Sequence, residues 1–247
     1  MNVSLSVKYH LHEYKKSLII FYVILIGLQI VAAAPALVNS AVEVSSSGLE
    51  AATVIFLFVA GLNSFRVPFL FSLVNGVSRK TMFKSTCISF MIVSAIMALV
   101  DTLSGLIFYR LAKYVTLFEM PYGLRYGGEA FQYNPQFIIE RFIWLFCLYV
   151  LACMIGYFVT VLYYRMNMAW KYIVSIGVPA LIIFGLPTIN NITDGKVANF
   201  FAEMLLKTMG LWNGYNPYIA MLTFVVVAII FMMLGSLLTR KATIKKS

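Results

Sequence analysis

The sequence predicts an all-α polytopic membrane protein with six transmembrane helices. Of its 247 residues, 62% are hydrophobic and only 11% are charged, whereas a soluble domain has about 25% charged residues. The apolar residues fall into six runs, each near the roughly 20 residues that a helix needs to cross a bilayer. Basic residues flank these runs, as is typical of membrane proteins. These observations exclude an ordinary cytosolic enzyme, a disordered chain and a nucleic-acid-binding domain.

The six predicted spans form a single transmembrane domain over 1–247, because no linker leads to a soluble domain. The spans lie at about 18–38, 51–73, 85–108, 142–163, 172–189 and 217–238. The second span is the least regular, since Asn63, Arg66 and Pro68 lie in its last third. The two three-span halves differ in loop length and show no internal repeat, which disfavours an inverted-repeat secondary transporter.

The distribution of Lys and Arg predicts that both termini are cytoplasmic. With the N-terminus inside, thirteen of the 19 basic residues lie on the cytoplasmic side: Lys8, Lys15, Lys16, Arg66, Arg79, Lys80, Lys84, Arg165, Lys171, Arg240, Lys241, Lys245 and Lys246. Cytoplasmic loops carry such an excess in membrane proteins. We therefore expect a multi-pass protein of the cell (plasma) membrane. The basic residues on the cytoplasmic side then account for the net charge of +10, and no nucleic-acid partner is expected.

Residues 1–17 are predicted to form an amphipathic elbow helix on the cytoplasmic surface. Wound as a helix, this segment gathers its larger apolar side chains on one face and leaves its lysines largely off that face. Such a helix is typical of segments that lie in the membrane interface. We expect His10 and His12 to be solvated or interfacial residues and not metal ligands. The apolar face consists of Val3, Val7, Leu11, Tyr14 and Leu18.

A second short amphipathic helix is predicted before the sixth span. Its apolar residues follow helical spacing, with Asn199, Glu203 and Lys207 on the opposite face. The segment is too short to cross the membrane, and backbone at membrane depth must be helical or buried in protein. It is therefore expected either to lie on the outer surface or to re-enter the membrane as part of an outer gate. The candidate gate residues are Val197, Phe200, Phe201 and Met204.

Asp101 is the only carboxylate predicted inside a span, about 24 Å along the third one. A carboxylate at that depth is costly and points to a functional role. It also belongs to a stripe of small residues with Ser94, Ala98 and Gly105, which is a face that helices use for close packing. Asp101 and Asn63 are therefore candidates either for the substrate path or for helix packing.

The connection between the second and third spans carries the most specific local pattern. Gly76 permits a sharp turn, and Ser78 is a residue type that caps a helix. Arg79, Lys80 and Lys84 hold this region at the membrane surface. From composition alone, the segment is either a basic hairpin that sets the topology or a docking element for a cytoplasmic partner.

This connection resembles the corresponding part of the permease subunit of ABC exporters of the ABC-2 type. The resemblance lies in a span that ends in Phe-Leu-Phe-Ser-Leu-Val, followed by Asn-Gly-Val-Ser-Arg-Lys-Thr and another span. It extends to the six-span layout with a cytoplasmic N-terminal segment and a short helix before the last span. In that family a short helix at this place couples the permease to its ATPase. The coupling residues implied here are Asn75, Gly76, Val77, Ser78, Arg79, Lys80, Thr81 and Lys84.

The resemblance also implies the partners of the chain. They are two cytoplasmic ABC ATPase subunits, which bind ATP and Mg, a second permease subunit that is identical or related, and the lipid bilayer. No cofactor is expected in this chain. The substrate class implied is a peptide, a toxin or another amphipathic compound, and the membrane-dipping helix is expected to act as the outer gate.

The sequence predicts no enzyme activity in this chain. It lacks a P-loop, a His-Glu-x-x-His motif and a Gly-x-Ser-x-Gly motif, so no catalytic or metal-binding residues are assigned. Two other functions stay open. The aromatic outer loop at 109–141 is suited to a membrane sensor or immunity protein that binds a peptide, and Asp101 is suited to an ion-coupled secondary transporter.

Overall fold

The computed structural model describes residues 3–38, 47–112, 114–126, 134–212 and 214–240, which are predominantly helical. The α-helices of this part of the chain are α1 (Val3–Val38), α2 (Glu50–Asn63), α3 (Arg66–Val74), α4 (Arg79–Ala112), α5 (Glu119–Tyr126), α6 (Pro135–Arg165), α7 (Met168–Ala180), α8 (Leu186–Ile192), α9 (Lys196–Thr208) and α10 (Pro217–Arg240). A π-helical segment, Leu181–Gly185, joins α7 to α8.

Six helical stretches in the described residues are long and apolar enough to cross a membrane. They are Val3–Ala34, Glu50–Val74, Arg79–Leu111, Pro135–Arg165, Met168–Ile192 and Pro217–Arg240. The six spans predicted from the apolar runs are thereby confirmed as apolar helices. Which ends face the cytoplasm stays a prediction.

Helix α6 is at the centre of the bundle and packs against α2, α4 and α10, while α1 packs against α4. The core is rich in aromatic side chains, and Phe65, Phe90 and Tyr157 are at most 1% exposed. Interhelical packing of this kind replaces the hydrophobic effect as the main source of association inside a membrane.

Helices α2 and α6 approach closely because a glycine of each faces the other. A Cβ atom built on Gly61 would lie 3.1 Å from the Cα of Gly156 and would overlap the carbonyl oxygen of Cys153. The hydroxyl of Thr160 donates a hydrogen bond to the carbonyl of Leu62 at the same crossing (2.6 Å). Small residues at this crossing therefore allow the two helices to pack closely.

The N-terminal elbow is continuous with the first span. Helix α1 runs from Val3 to Val38 without interruption, since the chain has no Gly or Pro before Gly27 to end a helix. At 1.5 Å per residue its 36 residues extend about 54 Å, well beyond a hydrocarbon core of about 30 Å. The predicted elbow is thus the first part of α1 and not a separate element.

The fifth span lies apart from this core. From Met168 to Ile192 no residue is buried, whereas half of the fourth span's apolar window is buried. This helix is apolar on all sides, and such a helix requires lipid or another protein around it. The fifth span must therefore be surrounded by lipid or by another protein chain.

Candidate functional site

The turn between α3 and α4 is built by hydrogen bonds that end one helix and begin the next. The amide of Val77 donates to the carbonyl of Ser72 (2.8 Å), which closes the C-terminus of α3. Gly76 has φ +66°, a left-handed conformation that favours glycine. Val77 is buried beneath the turn, whereas Asn75 and Gly76 are exposed. The turn is therefore a defined structure with an apolar anchor.

Ser78 caps helix α4, as its residue type predicts. Its hydroxyl oxygen accepts a hydrogen bond from the amide of Thr81 (3.1 Å), which satisfies one of the free amides of the first turn. Helix α4 then continues without a break to Ala112. The short coupling helix implied by the resemblance is consequently the first part of the third span.

The three basic residues of the turn have different environments. Arg79 is half-buried, and its Nη1 donates to the carbonyl of Arg240 at the end of α10 (2.7 Å). Its guanidinium also lies 6.0 Å from the centre of the Phe69 ring. Lys80 and Lys84 are exposed, and no salt bridge joins them to any described residue. Arg79 thus holds the turn to α10, while the two lysines are accessible to a partner.

The N-terminal part of α1 packs on this turn region. The hydroxyls of Ser6 and Ser85 lie 2.8 Å apart, and the rings of Tyr9 and Phe71 stack with centres 4.6 Å apart. Of the two environments expected for His10, the solvated one is wrong, because His10 is 1% exposed. The interfacial one stays a prediction.

Asp101 lies at the centre of a buried polar cluster and is 2% exposed. Its carboxylate accepts hydrogen bonds from the hydroxyl of Tyr149 and from that of Tyr22 (3.0 Å). These residues belong to α6 and α1, so the carboxylate joins three helices. Such contacts are what a packing role requires. Asn63 does not join this cluster, because it is exposed at the far end of α2.

A buried ion pair extends the cluster towards α2. Arg141 is 0% exposed and Glu50 is 4% exposed, and Nη2 of Arg141 lies 3.2 Å from Oε1 of Glu50. The same Nη2 donates to the backbone carbonyl of Asp101 (2.9 Å). A Cβ atom on Gly105 would overlap the guanidinium, so this glycine of the predicted stripe makes room for the arginine.

Glu50 has two further partners from the segment after α4. The hydroxyl of Tyr114 donates to its Oε2 (2.6 Å), and so does the amide of Leu117 (3.1 Å). Burial and the Glu50 carboxylate raise the pKa of Tyr114 well above its usual value. Tyr114 therefore stays a hydrogen-bond donor at all physiological pH values.

The ion pair could not be recognised from the sequence, because Arg141 lies at the end of the predicted outer loop and Glu50 lies beside the predicted second span. Charged residues at the ends of apolar runs are ordinary, and neither position stands out alone. Gly105, in the small-residue stripe of α4, is the sequence feature that could have indicated this contact. A glycine on a helix face allows a large group to approach the backbone closely. The identity of that group follows only from the packing of α6.

Much of the predicted outer loop is helical and packed into the core. Phe118 and Tyr122 are 0% exposed, and the ring of Phe118 lies 5.7 Å from that of Trp144. Burial raises the pKa of Tyr122 to about 12, and its hydroxyl donates to the carbonyl of Met209 (2.6 Å). These aromatic side chains are not available to a peptide in this conformation. Phe131 and Tyr133 lie outside the described residues.

The candidate gate residues lie together on helix α9. Phe200, Phe201 and Met204 are exposed and Val197 is half-buried. The helix is held at both ends, since the amide of Ala198 donates to the Asn190 side chain (2.9 Å) and its last turn contacts α10. Its exposed apolar face requires lipid or protein. Its role as an outer gate stays a prediction.

These features define the class of the molecule: with six apolar helices, it is a multi-pass α-helical membrane protein. No protein-family model, curated protein or solved structure gives a significant match to the chain.

Proposed function

We propose that this chain is the transmembrane subunit of an ATP-driven ABC exporter and that it couples to a separate cytoplasmic ATPase through the turn between α3 and α4. The observation that carries the proposal is the pair of exposed lysines, Lys80 and Lys84, next to a rigidly capped turn. A surface that receives a mechanical push must be both accessible and stiff. The basic charge suits an acidic surface on the ATPase.

Helix α4 provides a path from this turn to the opposite side of the membrane. Its 34 residues form a helix about 51 Å long, and Asp101 and Gly105 lie in its last third. A displacement of the turn would therefore act on the polar cluster that joins α1, α2, α4 and α6. In this proposal ATP and Mg bind to the partner ATPase, and the present chain contributes couplers and a substrate path.

The fifth span supports a second membrane subunit in the same assembly. It has no buried residue from Met168 to Ile192 and is apolar on all sides, so a second permease, identical or related, is a suitable neighbour. The proposed substrate is a peptide, a toxin or another amphipathic compound. Phe118 and Tyr122 of the outer loop are buried, which makes this part of the loop less suited to peptide sensing.

The test is co-purification with an ATPase from the native source. Lys80→Glu/Lys84→Glu reverses the charge of the exposed pair, and Lys8→Glu/Lys16→Glu makes the same change on exposed lysines of α1. We expect the unmodified chain and the α1 variant to retain a P-loop ATPase, and the turn variant to lose most of it. The proposal is refuted if no P-loop ATPase accompanies the unmodified chain. Equal retention by both variants refutes docking at the turn.

A further inference from the structure

Helices α1 and α4 enclose an apolar groove with a volume of about 800 Å³. Its walls come from one face of α1, from Leu11 to Ile30, and from Val93, Ile96 and Val100 of α4. Several wall residues are more than half exposed, among them Val23 at 67% and Ile96 at 51%. All of them lie in apolar membrane-spanning helices, so the groove opens towards the bilayer.

One charged side chain, Lys15, lies among the residues that line this groove. The groove continues from Lys15 to Ile30, a distance of about 22 Å along the helix. This is longer than one hydrocarbon leaflet, which is about 15 Å thick. Gly27 widens the groove, since a Cβ atom there would meet nothing within 4 Å. A long apolar groove with a cation towards one end is complementary in shape and charge to an anionic lipid.

We propose that this groove is a binding site for an anionic phospholipid, with an acyl chain between α1 and α4 and the headgroup phosphate at Lys15. Lys8 lies two helical turns further towards the N-terminus and is exposed, so it adds positive charge on the headgroup side. The site is independent of any ATPase and of the exporter proposal.

Charge complementarity favours a lipid over a transmembrane helix from a second copy. The unpacked fifth span, Met168–Ile192, contains no Asp or Glu and carries Lys171 near its start. Set parallel to α1, it would place this lysine on the side of Lys15. The carboxylates of the second, third and fourth spans, Glu50, Asp101 and Glu140, are at most 4% exposed. None of these spans offers an accessible partner for Lys15, whereas a lipid phosphate does. The first span of a second copy carries one exposed carboxylate, Glu13, but also three exposed lysines in the same part of the helix (Lys8, Lys15 and Lys16), so it would bring more like charge than opposite charge to Lys15.

The experiment measures lipid binding to the purified, delipidated chain by native mass spectrometry. The probes are phosphatidylglycerol and phosphatidylcholine with identical acyl chains, so that only the headgroup charge differs. Lys15→Gln removes the cation of the groove. Lys16→Gln removes the same charge from an exposed neighbour that does not line the groove. Both lysines are exposed, so neither change disturbs the fold.

We expect the unmodified chain and Lys16→Gln to prefer phosphatidylglycerol by about fivefold, the effect of one basic residue at an anionic surface. Lys15→Gln should abolish this preference without weakening phosphatidylcholine binding. If the two variants lost the phosphatidylglycerol preference equally, the preference would come from diffuse surface charge, and the proposal would be overturned. The proposal would also be overturned if the unmodified chain showed no headgroup preference.

A second variant tests the acyl chain. Gly27→Leu fills the open space in the groove and should reduce binding of both lipids alike; unchanged binding would overturn the assignment. Val23→Cys distinguishes a protein occupant, because the three native cysteines are buried. Efficient disulfide formation between two Val23→Cys chains in vesicles would show that a second copy covers the groove, and the lipid proposal would then be wrong.

Discussion

Replacing Arg141 by methionine should be among the most damaging single changes in this protein. The substitution keeps most of the side-chain volume but removes the charge that faces Glu50. Glu50 is 4% exposed and would keep only the hydrogen bonds from Tyr114 and Leu117. Removing one partner of a buried ion pair costs about 3–5 kcal/mol, since the other charge is left uncompensated. The hydrogen bond to the Asp101 carbonyl is lost as well.

Thermal unfolding in detergent measures this effect. For a chain of this size, 1 kcal/mol corresponds to about 2–4 °C, so we expect the melting temperature to fall by about 6–20 °C. Lys207→Met is the matched control, because its pair with Glu203 (3.4 Å) is exposed on both sides. An exposed pair between residues four apart in a helix contributes about 0.3–0.5 kcal/mol.

A double variant separates charge from packing. Glu50→Gln together with Arg141→Met removes both charges, so the combined loss should be smaller than the sum of the two single losses by about 1–3 kcal/mol. The reasoning is refuted if Arg141→Met is no more harmful than Lys207→Met. Strict additivity in the double variant would show that the two charges do not interact.

Three further predictions concern other parts of the fold. Gly156→Leu should cost about 3 kcal/mol, because its side chain meets the backbone of α2; Gly177→Leu, in the unpacked fifth span, should change the melting temperature little. Ser78→Ala should cost about 1 kcal/mol by removing the cap of α4, and hydrogen exchange should increase in the first turn of that helix only. Burial raises the pKa of Glu119, so its ionisation opposes folding, and stability falls as the pH rises from its unfolded-state pKa through its raised folded-state pKa. Glu119→Gln should therefore lessen the loss of melting temperature as the pH rises above about 4.3, and an unchanged pH profile would contradict this.

The spans and the capped turn could be predicted from the sequence because their signals are local. An apolar run of about 20 residues is sufficient to indicate a membrane helix, and Ser78 lies where a cap is needed. Asp101 could be identified because a carboxylate inside an apolar run is unusual. Each of these inferences needs only a short stretch of chain.

The partners of those residues could not be predicted, because they depend on how distant helices meet. The ion pair joins positions 50 and 141, and its formation requires the contact between α2 and α6 and the space at Gly105. The burial of Tyr122 likewise depends on Trp144 and on the backbone at the end of α9. Loop-like composition indicated exposed aromatic residues, whereas the tertiary packing encloses them.

The π-helical segment in the fifth span shifts the rows of side chains that follow it relative to those that precede it. The amide of Leu186 donates to the carbonyl of Leu181, five residues earlier, so this turn holds one residue more than an α turn. Side chains after Gly185 are therefore rotated about the axis relative to those of α7. A single straight neighbour cannot follow one continuous row of side chains from Met168 to Ile192. Whatever surrounds this span must bend with it or be replaced by a different neighbour halfway across the membrane.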